Sequence, residues 1–305
     1  MNVLLSLLLI ALFISAGVWL AAVVDRALGA WRAGTRPDGL FMGPFREAAA
    51  MLARPRAETE APDALFRLLA PGWYLALAAV SFSVVPFAPG IVATAPSTGL
   101  VLWGACEALV IVVVFIHGWA PNSPFPLIGA YRYVVIGLPA MLPSMFVLIA
   151  AALPAESLAL PTVVESQREL WNVVRQPLGM VLFLAIGLTI TLRGPFDYAD
   201  PEDLAGGTSA EESGPALALW RLARLAMLVS FSAMAATVFL GGFLGPWLPG
   251  PVWLALKALA VMVATQAVGH LLPRMPAPRM LAALWLMALP LSFADLLLVG
   301  LESLA

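Results

Sequence analysis

Apolar residues in this chain gather in long unbroken runs, not at every second position or along one helical face. Runs near 3–24, 71–92, 99–117, 133–154, 176–192, 215–243, 251–271 and 280–301 approach the roughly 20 apolar residues that cross a bilayer as a helix. The fifth run is short and follows polar residues, and the sixth is long enough to tilt. Pro86, Pro139, Pro143, Pro177 and Pro290 lie within or beside the runs. Membrane helices tolerate proline because neighbours satisfy the freed carbonyls. The expected fold is all-α: a polytopic membrane helix bundle of about eight transmembrane helices, with residues 1–305 forming a single membrane domain. The first run lacks the basic leader and short apolar core of a cleaved signal, so it reads as a retained helix.

The polar segments between runs carry a strong asymmetry. Arg26, Arg32, Arg36, Arg46, Arg54, Arg56, Arg67, Arg132, Arg193, Arg221, Arg224, Arg274 and Arg279 fall on one side of an eight-span arrangement. Arg168 and Arg175 fall on the other, and Lys257 lies within the seventh run. Basic loops stay in the cytoplasm. Segments of about 25–70, 118–132, 193–214 and 272–279 are therefore expected there, with both termini on the opposite side of a bacterial inner membrane. In the first segment Leu40, Phe41, Phe45, Ala48, Ala49 and Leu52 recur at helical spacing around Arg46, Glu47 and Arg54. That pattern predicts an amphipathic helix lying on the membrane surface. The third segment reverses the usual charge, setting Asp197, Asp200, Glu202, Asp203, Glu211 and Glu212 against Arg193. It reads either as a solvated loop or as a docking surface or cavity wall.

Composition narrows the class further. Hydrophobic residues make up 62% and charged residues 11% of 305 residues, against about 25% charged in a soluble domain whose surface must be wet. A formal charge of −2 offers no basic footprint for nucleic acid. One cysteine, Cys106, and two histidines, His117 and His270, cannot supply a disulfide framework, an iron–sulfur cluster or a structural zinc site. No nucleophile–base pair, phosphate loop or metal cluster appears, so no catalytic or metal residue is expected, and no bond chemistry by this chain alone.

Ionisable residues inside apolar runs are costly and often functional. Glu107, Lys257 and Asp295 are such residues, and Arg221 and Arg224 sit three apart at the start of the sixth run. These five are candidates for proton or ion coupling. The plainer reading lets both arginines snorkel to the interface and Asp295 face a helix contact.

The third polar segment resembles a known family. Arg193-Gly194-Pro195-Phe196-Asp197, then Pro201-Glu202-Asp203-Leu204-Ala205-Gly206 and Glu211-Glu212-Ser213-Gly214, is similar to the R-T-P-F-D…E-x-E-L-x-x-G…E-Y-S-G loop of the NADH dehydrogenase subunit 1 family. That family supplies the heel membrane subunit of respiratory complex I, and energy-converting hydrogenases and formate hydrogenlyases have a homologous subunit. Gly118-Trp119-Ala120-Pro121-Asn122-Ser123 resembles the family's G-W-A-S-N-S, and Gly129-Ala130-Tyr131-Arg132 its G-G-L-R. Gln176-Pro177-Leu178-Gly179 and Ala236-Thr237-Val238-Phe239-Leu240-Gly241-Gly242 resemble the opening of helix five and the end of helix six. Pro249-Gly250, Trp253, Lys257 and Leu272-Pro273-Arg274 resemble the two ends of helix seven.

The resemblance implies a protein that docks the cytoplasmic electron-transfer arm and walls a quinone cavity. Arg36, Arg46, Arg132, Arg193, Phe196, Asp197, Glu202, Asp203, Glu211 and Glu212 are the residues it places there. It implies no cofactor bound by this chain, quinone at a subunit interface, and iron–sulfur clusters in partner subunits only. Partners would be other membrane-arm subunits, a cytoplasmic large and small subunit of hydrogenase-like or quinone-module type, and lipid. The chain also departs from the family. Glutamates expected in helix four, at the end of helix five and in helix six are Met141, Ile190 and Arg224, and the first-loop signature shrinks to Arg32, Arg36, Pro37, Gly39, Gly43 and Pro44. Two alternatives stand beside a quinone-linked complex: a hydrogenase-type complex, and a solitary ion-coupled transporter using Glu107, Lys257 and Asp295. The chain shows no related halves of the kind transporters often have.

Overall fold

A computed structural model describes residues 3–57, 59–201 and 205–304. Its elements are helices: α1 Val3–Arg32, α2 Gly43–Leu52, α3 Ala64–Ser83, α4 Gly99–Trp119, α5 Pro124–Ala152, α6 Leu160–Glu165, α7 Asn172–Arg175, α8 Pro177–Ile190, α9 Gly214–Phe239, α10 Gly250–Leu271, α11 Ala277–Ala283 and α12 Leu289–Leu304. A π-helical turn, Leu284–Ala288, joins the last two into one rod. No strand occurs among the described residues. The chain is an integral membrane protein. Seven helices are long and apolar enough to cross a bilayer: α1, α3, α4, α5, α9, α10 and the α11–α12 rod.

The eighth expected crossing, α8, has 14 residues, about 21 Å at 1.5 Å per residue. The segment before it makes up part of the depth. Leu160, Val163 and Val164 are buried, and so are Gln167 and Asn172. Gln167 Nε2 donates to Thr237 O at 3.0 Å, and Asn172 Nδ2 to Val238 O at 2.9 Å and Ala151 O at 3.2 Å. These bonds satisfy carbonyls at the end of α9 and α5, the condition under which irregular backbone persists at membrane depth.

Two boundaries differ from the hydrophobic pattern. The second crossing covers 64–83 rather than 71–92. Asp63 starts it early, its Oδ1 accepting from the amides of Leu65 and Phe66 at 3.1 and 3.2 Å, and the turn after Ser83 carries Pro86, Pro89 and Gly90. Likewise α5 starts at Pro124, so most of the polar segment 118–132 is helical. A proline in its first turn suits a helix start, because the amide it lacks would have had no intrahelical partner there.

Helix α9 is the hub. It packs on α3, α10, α1 and α2, and 83% of its most apolar stretch is buried, against 28% for α1 and 22% for α11–α12. Small side chains permit this: Ala223, Ala226, Ser230, Ala233, Ala235 and Ala236 are all buried. Without a solvent-driven hydrophobic effect in lipid, close backbone approach across small residues holds such bundles together. Helix α2 carries exposed Phe45 and Leu52 beside exposed Phe41 and Met42, in agreement with the amphipathic surface helix expected from the spacing. It is fastened to α1 by Arg26, which pairs with Glu47 and donates to Asp38 O at 2.7 and 3.2 Å.

Candidate functional site

The segment between α8 and α9 folds as a chain of aspartate-supported turns. Asp197 Oδ1 accepts from Asp200 N at 2.9 Å, and Asp200 Oδ1 from Ser209 N at 3.3 Å. Thr208 N donates to Ala199 O and Glu212 N to Ser209 O. Short acidic side chains stabilise turns by accepting bonds from nearby amides. The acidic composition of this loop therefore has a structural role as well as a charge.

The turns are tied to several neighbouring elements at the arginine-rich end. Arg224 on α9 pairs with Asp197 at 2.8 Å and Asp200 at 3.4 Å and donates to Leu192 O. Arg193 meets Asp25 of α1 at 3.0 Å, and His270 of α10 meets the same Oδ1 at 3.0 Å. Arg67 of α3 forms a buried two-point pair with Glu212 at 2.7 and 3.3 Å, and also donates to Ala57 O at 2.5 Å. Arg132 of α5 donates to Ala205 O and Gly206 O at 3.0 and 3.3 Å, and Ser123 donates to Glu211 at 3.2 Å. Tyr198 donates to Met275 O at 2.8 Å. Ser213 donates to Pro55 O at 3.0 Å and accepts from Ala57 N at 2.6 Å. At Gly129 the loop backbone lies so close that an added Cβ would sit 2.5 Å from Ala199 O and 2.7 Å from Thr208 N.

Burial shapes the electrostatics of the loop. It lifts the Asp197 carboxyl above the ordinary carboxylate range, with Arg224 working the other way. It lowers the Arg193 guanidinium, with Asp25 countering. It pushes the Tyr198 phenol up to about 12.

The loop residues expected at a shared site do come together, with one change of emphasis. Arg132, Arg193, Asp197, Glu211 and Glu212 are joined through the folded loop, and Phe196 packs half-buried against the core. Asp197 and Glu212 are buried against the chain's own arginines, so the loop presents much less free negative charge than its composition suggests. Arg36 and Arg46 are exposed on the first loop, apart from this network. Glu202 and Asp203 lie outside the described residues. Arg224 does not snorkel; it is the centre of the network, whereas Arg221 is exposed. Sequence reasoning missed Arg67, Asp25, His270 and Tyr198 as partners. Arg67 offered one signal: it stands only four positions after the capping Asp63, inside a stretch that is otherwise apolar.

Deeper in the bundle the isolated charges separate by environment. Lys257 Nζ donates to Gly242 O at 3.1 Å and Leu244 O at 2.6 Å and lies 4.3 Å above the Trp171 ring. It clamps the turn after α9, and its charge is met by carbonyl dipoles and an indole face. Asp295 is buried at the start of α8, bonded to the Gly179 backbone, where a carboxylate complements the positive helix end. Glu107, on α4, accepts from Ser144 Oγ of α5 at 2.8 Å. It faces a narrow cleft lined also by Tyr133, Met141, Thr189 and Ile190. Among the described residues no three histidine, cysteine, aspartate or glutamate side chains converge to hold a metal ion.

These features define a class: a polytopic membrane protein whose polar loops at one end are knitted into a single folded face, with isolated titratable groups below it. Known proteins narrow that class. Residues 1–300 match the family model described as NADH dehydrogenase. The chain is 32% identical over 302 residues to the first of the H-type subunits of NADH-quinone oxidoreductase in Rhodopseudomonas palustris strain HaA2, covering 97% of this chain and 94% of that protein. It is 36% identical over 239 residues to the first H-type protein of strain BisB5, and 35% identical over 239 residues to the second of strain ATCC BAA-98 / CGA009. Both matches cover 78% of this chain and 75% of the relative. The chain belongs to the NADH dehydrogenase family.

Proposed function

We propose that this chain is the membrane subunit of a complex I-like NADH–quinone oxidoreductase, at which a cytoplasmic electron-transfer arm docks and where redox chemistry is coupled to proton or ion movement. The arginine-rich end faces the cytoplasm, in line with the distribution of basic residues, and both termini face the other side of a bacterial inner membrane. The folded face built on loop 193–214 receives the arm, and together with the first loop and α2 it walls a cavity for a quinone head and tail.

One observation carries this reading. The first and third loops, which the family resemblance assigns to one chamber, meet directly through Ser213 on Pro55 and Ala57 and through Arg67 on Glu212. They form one wall even though 145 to 158 residues separate the partners. The relatives' names favour the quinone-linked form over a hydrogenase-type complex.

The test is isolation of the intact complex from mild detergent through a tag on this chain. Co-purification of iron–sulfur-bearing soluble subunits, NADH-driven quinone reduction, and photolabelling within residues 36–54 or 193–214 by a quinone analogue are the expected results. A stable monomer without partners, or labelling that never reaches those two stretches, overturns the reading.

A further inference from the structure

We propose that Glu107 is the side chain that takes up and releases the translocated proton in the middle of this chain, standing across one cleft from Met141 and Ile190. The inference rests on the function proposed above.

Four acidic side chains are buried among the described residues: Glu107, Asp197, Glu212 and Asp295. Asp197 and Glu212 are held by arginines, and Asp295 by the start of α8. Glu107 has neither a cation nor a helix end beside it. Ser144 satisfies Oε2, while Oε1 is buried without a hydrogen-bond partner, as is Thr189 Oγ1 on the same cleft. A carboxyl placed so in an apolar bundle is expensive, and a single hydroxyl contact offsets little of that cost. Thr189 and Tyr133 are the other polar side chains that line this cleft.

The cleft also leads to the folded face. Tyr133 and Ile190 line it. Tyr74 donates to Ile190 O at 2.7 Å, and Arg224 donates to Leu192 O two residues on. The end of α8 thus runs from the Glu107 cleft to the Arg224 network. In the step itself an O–H bond forms on Oε1 as a proton arrives and breaks as that proton leaves. The carboxylate is regenerated and no electrons move.

The complex isolated through this chain is reconstituted in vesicles, and quinone reduction by NADH is followed together with an internal pH dye. Glu107→Gln is expected to keep the complex assembled and lose the pH change. Glu107→Gln/Met141→Glu, with the carboxyl moved across the cleft, is expected to regain it. A hydrophobic carbodiimide, which adds to protonated carboxyls in lipid, is expected to label Glu107 in the unaltered complex. Normal proton movement per quinone in Glu107→Gln, failure of the double variant to regain it, or absence of the label overturns the assignment. A native complex that reduces quinone without moving ions overturns instead the coupling on which the assignment rests.

Discussion

The Arg67–Glu212 pair fastens the third loop to α3 from within, and its removal is the sharpest perturbation the fold offers. The side chains are 2% and 0% exposed, and two N–H groups of the guanidinium engage both carboxylate oxygens. Glu212→Gln leaves a buried guanidinium without its counter-charge, and Arg67→Met leaves a buried carboxylate. Either loss costs about 3–5 kcal/mol, whereas replacing both partners by apolar groups is about neutral. Expressed as local opening, a single variant should loosen the loop from about 10²-fold to about 4,000-fold, since every 1.4 kcal/mol is about tenfold. Hydrogen exchange reads this at the amides of Thr208 and Glu212, whose acceptors Ala199 O and Ser209 O lie within the loop. Measured on the purified complex, exchange in Arg67→Met/Glu212→Met should return close to the native rate. A single-variant effect below about 1 kcal/mol, the size of an exposed pair, refutes the reasoning, and so does a double variant that exchanges as fast as the singles.

Other expectations follow from the same geometry. Gly129→Ala should push the loop from α5, because the new methyl meets backbone rather than a flexible side chain; protease nicking within 199–213 should rise and arm attachment should fall. Lys257→Met leaves Gly242 O and Leu244 O without their donor, at about 1–3 kcal/mol for each unsatisfied group. Thermal unfolding in detergent should drop accordingly while proton movement per quinone stays native. Tyr198 holds its proton in the fold up to about pH 12, and an unfolded phenol loses it near 10. The folded state therefore binds more protons in that window, and stability falls as pH rises through it. Tyr198→Phe should flatten that part of the alkaline unfolding curve.

The crossings were legible because lipid demands a long apolar run, and seven of the eight expected runs became full-length helices. Helix α8 is short because the segment before it turns inward at Gln167 and Asn172 to bond the ends of α9 and α5, a tertiary arrangement that hydropathy does not register. The loop motif pointed to a segment that folds into one face, and Asp197 and Glu212 lie within it. Their inward orientation was not legible, because the arginines that hold them come from α3 and α9, 145 and 27 residues away. Arg224 shows the difficulty well. As a charge near the start of a membrane helix it looks like a snorkelling residue, and only the fold brings two aspartates to it.

The stitching of the third loop also sets an order of manufacture. Its turns leave the ribosome before α9, α10 and the segment beyond them. Yet Arg224, His270 and the Met275 carbonyl, which hold or brace it, all belong to those later parts. The folded face is therefore completed only once nearly the whole chain has been inserted. A chain cut short before residue 275 would display an open, acidic loop to membrane proteases. Other subunits would meet a finished surface only on a finished chain, so the contacts that shape the face also time its completion.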